Sequence, residues 1–163
     1  MSMEENMTEQ EGKAKFQDLS LAPMHTAEHI LNQTMVRMFG CSRSRVNHIE
    51  KKKSKCNYTL LACPTEEQVR AIEEAVNAVI AADMEVTERY ITRAEVPEEV
   101  DLSKLPEDTS DTLRLVYVGD YDVCPCVGAH VKHTSEIGHF RISSTSYNEG
   151  SFRIVFRLAT PTT

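Results

Sequence analysis

The chain has 163 residues, 40% apolar and 26% charged, which suits one soluble domain whose core needs no disulfides. No apolar run approaches the roughly 18 residues of a membrane helix, and the acidic start MSMEENMTEQEGK matches neither a signal nor a transit peptide. Five cysteines, an odd count, argue for free thiols in a reducing, cytoplasmic setting, and a net charge of -7 argues against coating nucleic acid over the whole surface.

Residues 1–18 lack hydrophobic periodicity and read as a disordered tail, leaving 19–160 as a single domain. Pro23 suits the first turn of a helix over residues 23–39, and Gly40 stops it. His25, His29 and Val36 mark one face of that helix. Ile30, Leu31, Met35 and Met38 carry apolar bulk on the neighbouring face. Residues 44–50 and 55–62 read as strands joined by the turn Lys51-Lys52-Lys53-Ser54. Arg43, Arg45, Lys51, Lys52, Lys53 and Lys55 crowd this hairpin, with only Glu50 against them. Such a strip can meet a phosphate backbone, or simply keep a hairpin tip solvated.

Thr65 and Gln68 have capping-box spacing. Val69, Ile72, Ala75, Val76, Val79 and Ile80 then form the buried stripe of a helix from 66 to about 82. Residues 85–91 alternate as a strand, and residues 93–111, with Pro97 and Pro106, read as a short helix and an irregular connection. A strand over 113–118 ends in a turn at Gly119-Asp120. Strands over 140–143 and 152–158 are joined through Asn148-Glu149-Gly150. The sum is an α+β fold of two layers, an antiparallel sheet with two main helices packed on it.

Two ligand pairs stand out. His25 and His29 are one helical turn apart, so both imidazoles share a face. Cys126 and His130 repeat the same i, i+4 gap. Three imidazoles and one thiolate are a zinc donor set, and the two pairs read as one site closed by folding. Cys124 competes with Cys126, but the spacing favours Cys126. His48, His133 and His139 read as loop or strand residues outside the site. His25-x-x-Glu28-His29 also fits the H-x-x-E-H pattern of inverted zinc peptidases, in which the glutamate activates water. That reading needs a third, usually acidic, ligand and leaves Cys126 and His130 unused. Glu28 early in a helix is also simply a favourable charge at its positive end.

These motifs, in this order, resemble the editing domain shared by alanyl- and threonyl-tRNA synthetases, and more closely the free-standing alanyl-tRNA editing proteins. His25-Thr26-Ala27-Glu28-His29-Ile30-Leu31 is similar to that family's H-T-A-x-H-L-L motif. Gly128-Ala129-His130-Val131, followed by Thr134-Ser135-Glu136-Ile137-Gly138-His139-Phe140, resembles its G-T-H-V and T-G-E-I-G-x-F signatures. Gly150-Ser151-Phe152-Arg153-Ile154 resembles its closing G-V-R-R-I segment. The resemblance implies a two-layer fold around a zinc-binding cleft, with His25, His29, Cys126 and His130 as ligands. It implies an aminoacyl-tRNA deacylase that acts in trans on mischarged tRNA, removing serine or glycine from a tRNA for alanine.

Thr26, beside a ligand, is then the candidate for holding a substrate hydroxyl or water, and the basic strip is the candidate tRNA contact. Three features depart from the family pattern. The hairpin lacks the Gln-Lys-Gly-Ser-like segment, C-G-G-T-H has become Cys126-Val127-Gly128-Ala129-His130, and the double arginine is reduced to Arg153. They favour the rival reading, a catalytically inactive zinc-stabilised module that binds tRNA or protein.

Overall fold

The computed structural model describes residues 19–44, 46–95, 112–126 and 128–159. The expected tail, Arg45, and the connection holding Pro97 and Pro106 lie outside the described residues.

A short 3-10 turn, Leu19–Leu21, leads into helix α1, Ala22–Phe39, with Pro23 in its first turn. The chain leaves α1 at Gly40, whose N–H bonds Val36 O at 2.9 Å. Helix α2, Glu66–Ala81, begins with the capping box that Thr65 and Gln68 predict. The Thr65 N–H donates to Gln68 Oε1 at 2.9 Å, and the Gln68 N–H donates to Thr65 Oγ1 at 3.1 Å. Thr65→Ala removes one half of that exchange and is expected to cost about 1 kcal/mol of stability, read as a lowered urea midpoint at unchanged slope.

The strands divide into two antiparallel sheets, where the sequence pattern suggests one. The larger contains β1 (Val46–His48), β2 (Ser54–Thr59), β6 (His139–Asn148) and β7 (Ser151–Ala159), in the order β1-β2-β7-β6. The smaller contains β3 (Val86–Thr92), β4 (Thr112–Val118) and β5 (Asp122–Pro125), in the order β3-β4-β5. Strand period puts Cys56, Tyr58, Phe152, Ile154 and Phe156 on one face of the larger sheet, where all are buried. The helices cover that face: Ile30, Leu31 and Met35 of α1, and Ile72 and Val76 of α2, have no exposed surface. The β6–β7 turn is the pair Glu149-Gly150, both at positive φ, as a two-residue hairpin of the right-handed twist requires.

The smaller sheet is stitched to the rest by the segment after the helices. Val86 N–H bonds Lys132 O at 2.8 Å, and Thr134 N–H bonds Met84 O at 2.9 Å. Gly119, at the β4–β5 turn, lies so close to Met84 that a Cβ there would stand 3.0 Å from its sulfur. Tyr121, just before β5, docks on α1. Its ring lies 4.2 Å from the Arg37 guanidinium carbon, and its carbonyl accepts from Gln33 and Arg37. β5 therefore delivers the residues that follow it to the flank of α1.

Candidate metal centre

One potential ligand atom from each of His29, Cys126 and His130 lies within 4.8 Å of the other two. Cys126 Sγ and His130 Nε2 are 3.4 Å apart. The His29 and His130 rings meet edge to face, with centroids 4.5 Å apart. A tetrahedral zinc, bonded at about 2.05 Å to nitrogen and about 2.3 Å to sulfur, sets such ligands about 3.5 Å apart. The thiol–imidazole separation therefore already equals one edge of that tetrahedron, and the donor chemistry suits zinc.

Each member is held from outside the group. The segment carrying Cys126 is pinned to β4. Arg114 Nη1 donates to Cys126 O at 2.9 Å and to Gly128 O at 2.7 Å, while the Cys126 N–H bonds Arg114 O at 3.2 Å. His130 is oriented by Thr26. The Thr26 hydroxyl donates to Ala22 O at 3.0 Å and accepts the Val131 N–H at 3.2 Å. His130 Nδ1 lies 3.0 Å from the same oxygen. A hydroxyl has one proton, here committed to Ala22, so Nδ1 carries the ring hydrogen and Nε2 presents its lone pair toward Cys126. His29, 4% exposed, has Nδ1 3.7 Å from Asp122 Oδ2, near enough for electrostatic attraction but beyond hydrogen-bond reach.

Burial sets the protonation states. It pushes His130 down to about 3, helped by His25 and Arg114, and pushes His25 down against a bond to the Ala129 backbone. Both imidazoles are neutral at pH 7 and able to ligate. Burial also raises the Cys126 thiol, with Glu28 adding to the effect, so a metal must displace a proton there.

The structure brings three of the four expected ligands together and leaves His25 outside the three-donor group. The His25 ring stands 6.2 Å from that of His130. Thr26 is fully buried and its hydroxyl makes all three of its possible bonds within the protein, so it positions His130 and has none left for a substrate or water. Cys124 lies outside the group, in β5 opposite Val116, with its thiol pushed up to about 12 by burial. No carboxylate joins the group among the described residues, so the third ligand of the inverted-peptidase pattern is not supplied there. Glu28 instead accepts from Asn32 at 3.3 Å and Asn47 at 2.5 Å.

The basic strip splits. Lys51, Lys52 and Lys53 are exposed and Lys55 is half-buried on β2. Arg43 turns inward, bonding both Asp122 oxygens at 2.7 and 3.3 Å with its side chain only 10% exposed, so it is not a phosphate contact. His48 is exposed on β1, His133 forms an isolated antiparallel backbone bridge with Glu85, and His139 opens β6.

Arg114 and Asp122, which contact the candidate group's surroundings, are residues that the sequence pattern hides. Each is a single charge in or beside a short strand, and nothing local says which way it points. Asp122 also borders a cavity of about 290 Å³ lined by Gln33, Val36, Cys41, Arg43 and Cys124 among others.

Fold and site together define a small α+β domain with a His/Cys/His group that could hold a metal between its first helix and the segment after β5. Residues 113–155 match the family model described as the threonyl and alanyl tRNA synthetase second additional domain. The chain is 36% identical over 124 residues to the alanine–tRNA ligase of Ligilactobacillus salivarius, which covers 75% of this chain and 14% of that ligase. It is 31% identical over 142 residues to that of Halorubrum lacusprofundi, covering 81% of this chain and 15% of that ligase. With that of Bacillus subtilis it shares 32% over 123 residues, 75% of this chain and 14% of that ligase. The chain belongs to the editing-domain family shared by alanyl- and threonyl-tRNA synthetases. It spans only 14–15% of the length of these relatives. No helix among the described residues is long and apolar enough to cross a membrane.

Proposed function

We propose that this domain is a trans-editing aminoacyl-tRNA deacylase of the cytoplasm, hydrolysing the ester of Ser- or Gly-tRNA(Ala), with zinc as its cofactor. The observation that carries this reading is the convergence of His29, Cys126 and His130 within 4.8 Å in a chain of this family. When bound, zinc supplies a Lewis acid for a carbonyl or a water. His29, Cys126 and His130 would hold it, with His25 standing beside them on the same helix face as His29. Thr26 orients the His130 imidazole, the Asp122 carboxylate stands 3.7 Å from His29 Nδ1, and Arg114 holds the loop that carries the thiol. An aminoacyl ester is already activated, so positioning and modest polarisation suffice.

The test is a panel of mischarged tRNAs incubated with the zinc-loaded protein. Release of serine or glycine from tRNA(Ala) well above the buffer rate is expected, with loss on chelation and sparing of Ala-tRNA(Ala). No hydrolysis by folded, zinc-bound protein would instead support the inactive binding module, which Ala129 favours by lacking the hydroxyl of the family's threonine.

A further inference from the structure

The outward face of the larger sheet carries a charge pattern that the metal site does not use. Because Cys56, Tyr58, Phe152, Ile154 and Phe156 face the core, the residues between them face away from it. Those are Lys55 and Asn57 on β2, and Arg153, Val155 and Arg157 on β7. The register extends this face to both neighbours. His48 of β1 lies opposite Lys55, while Arg141, Ser144 and Ser146 of β6 lie opposite Arg157, Val155 and Arg153. Arg141, Arg153, Arg157, His48, Ser144 and Ser146 are all exposed.

None of these four strands contains an aspartate or a glutamate, in a chain with 25 acidic against 18 basic residues. Among the described residues no ion pair engages Arg141, Arg153 or Arg157. Arg141 and Arg157 are direct cross-strand partners, and like charges placed so destabilise a sheet unless an anion lies over them. Ser54 pairs with Phe156, which puts the exposed Lys51–Lys53 turn at the same end of the sheet as Arg157 and Arg141. Carboxylates are absent from the strand positions of this face, and Glu50 and Glu149 lie in the turns at its two ends.

We infer that this face is the docking surface for the sugar–phosphate backbone of an RNA helix, which rests on the tRNA reading above for the identity of that RNA. The chemistry separates a helix from a single strand. Outward positions offer guanidinium, ammonium and hydroxyl groups, suited to phosphates and 2′-hydroxyls. They offer no Phe, Tyr or Trp on which unpaired bases could stack. Arg153 and Arg157, four residues apart, span roughly 13 Å along β7, room for several phosphates. Arg153 is held at its place by a 3.2 Å bond from Nε to Asn57 Oδ1. β1, the edge strand, joins this face to the metal group. Its other face carries Asn47, bonded to Glu28 next to His29 in α1. A helix lying on the face therefore has a short route for its 3′ end around the β1 edge.

The test uses the zinc-loaded full chain with Arg141, Arg153 and Arg157 changed together to Gln, and a second variant with all three changed to Lys. Affinity for an uncharged tRNA(Ala) transcript is measured from about 50 to 200 mM salt. If the face binds RNA, the Gln variant loses affinity by ~10- to 1000-fold at the lower salt and its log–log salt slope is shallower by about two to three. The Lys variant keeps most of the slope. Both unfold at or above the wild-type midpoint, since three exposed arginines are changed and one repulsive pair is removed or kept.

An unchanged affinity and slope in the Gln variant overturns the inference while leaving the deacylase reading intact, provided wild type still hydrolyses its substrate. Loss of RNA binding in the Gln variant, with no hydrolysis by wild type, supports the inference and sinks the deacylase reading. Binding to phosphatidylserine vesicles but not to RNA overturns the inference in favour of a membrane surface.

Discussion

Arg43→Met is expected to be among the most destabilising single substitutions in this chain, costing about 3–5 kcal/mol. The guanidinium bonds both oxygens of Asp122, and the two side chains are only 10% and 2% exposed. Removing one partner leaves the other charge buried without compensation, which costs far more than the pair contributes. Burial already raises the Asp122 carboxyl, with Arg43 the chief opposing influence. Without Arg43 it must rise further.

The sign of the pH effect follows. A group raised in the folded state costs nothing below its unfolded value, because both states are then protonated. Its penalty grows as pH climbs from there toward the folded value. The deficit of Arg43→Met should therefore be smaller near pH 4 than near pH 7, in urea titrations against wild type at each pH. Removing both charges, as in Arg43→Met with Asp122→Leu, should recover much of the loss. If Arg43→Met cost less than about 1 kcal/mol at pH 7, the pair would be behaving as a solvent-screened surface bridge. Its reading as a buried support for His29 would then be wrong.

That pair also shows where local sequence reading runs out. Arg43 sits next to a run of lysines, so pattern alone assigns it to phosphate contact. Only the packing of β5 against α1 turns it inward. Features that depend on near neighbours were legible: the bounds of α1 from Pro23 and Gly40, the Thr65–Gln68 capping box, and the Asn148-to-Gly150 turn. Features that depend on distant partners were not. β2 pairs with β7, almost a hundred residues away, and alternation names a strand without naming its partner. β5 is four residues long and holds a proline, below what periodicity can detect. β6 runs on through Ser143 to Asn148 as a polar stretch because most of it faces solvent.

The metal group was legible as two i, i+4 pairs, three of whose four members stand within 4.8 Å of one another. Four residues of helix separate His25 and His29 by about 6 Å along the axis. That offset exceeds a tetrahedral edge, so the pair closes on one ion only if its side chains converge. Here His29 meets Cys126 and His130, and the His25 ring is bonded to the backbone of Ala129.

The Thr26 hydroxyl supports the sharpest test of how that group is built. Thr26→Val keeps the shape of a fully buried side chain and removes its one polar atom. The Val131 N–H and the His130 Nδ1–H lose their partner, while the Ala22 carbonyl keeps the helical bond from the residue-26 N–H. The expected cost in stability is about 1–3 kcal/mol, because buried polar groups are left unmade rather than replaced. The expected cost in zinc affinity is roughly 10- to 100-fold, as when other supports of a metal-bound histidine are removed. It arises because nothing then selects the tautomer with its lone pair on Nε2.

Thr26→Ser restores the oxygen and should recover most of both. The two measurements separate orientation from mere packing. A packing threonine would be served as well by valine, with zinc affinity in a chelator competition unchanged. A residue that orients His130 must show a loss of affinity in valine and its return in serine. A catalytic role by direct contact with substrate would instead leave zinc affinity intact in Thr26→Val while hydrolysis fell. Because the hydroxyl has no bonding capacity left once Ala22, Val131 and His130 are satisfied, the first pattern, loss with valine and return with serine, is the one this structure requires.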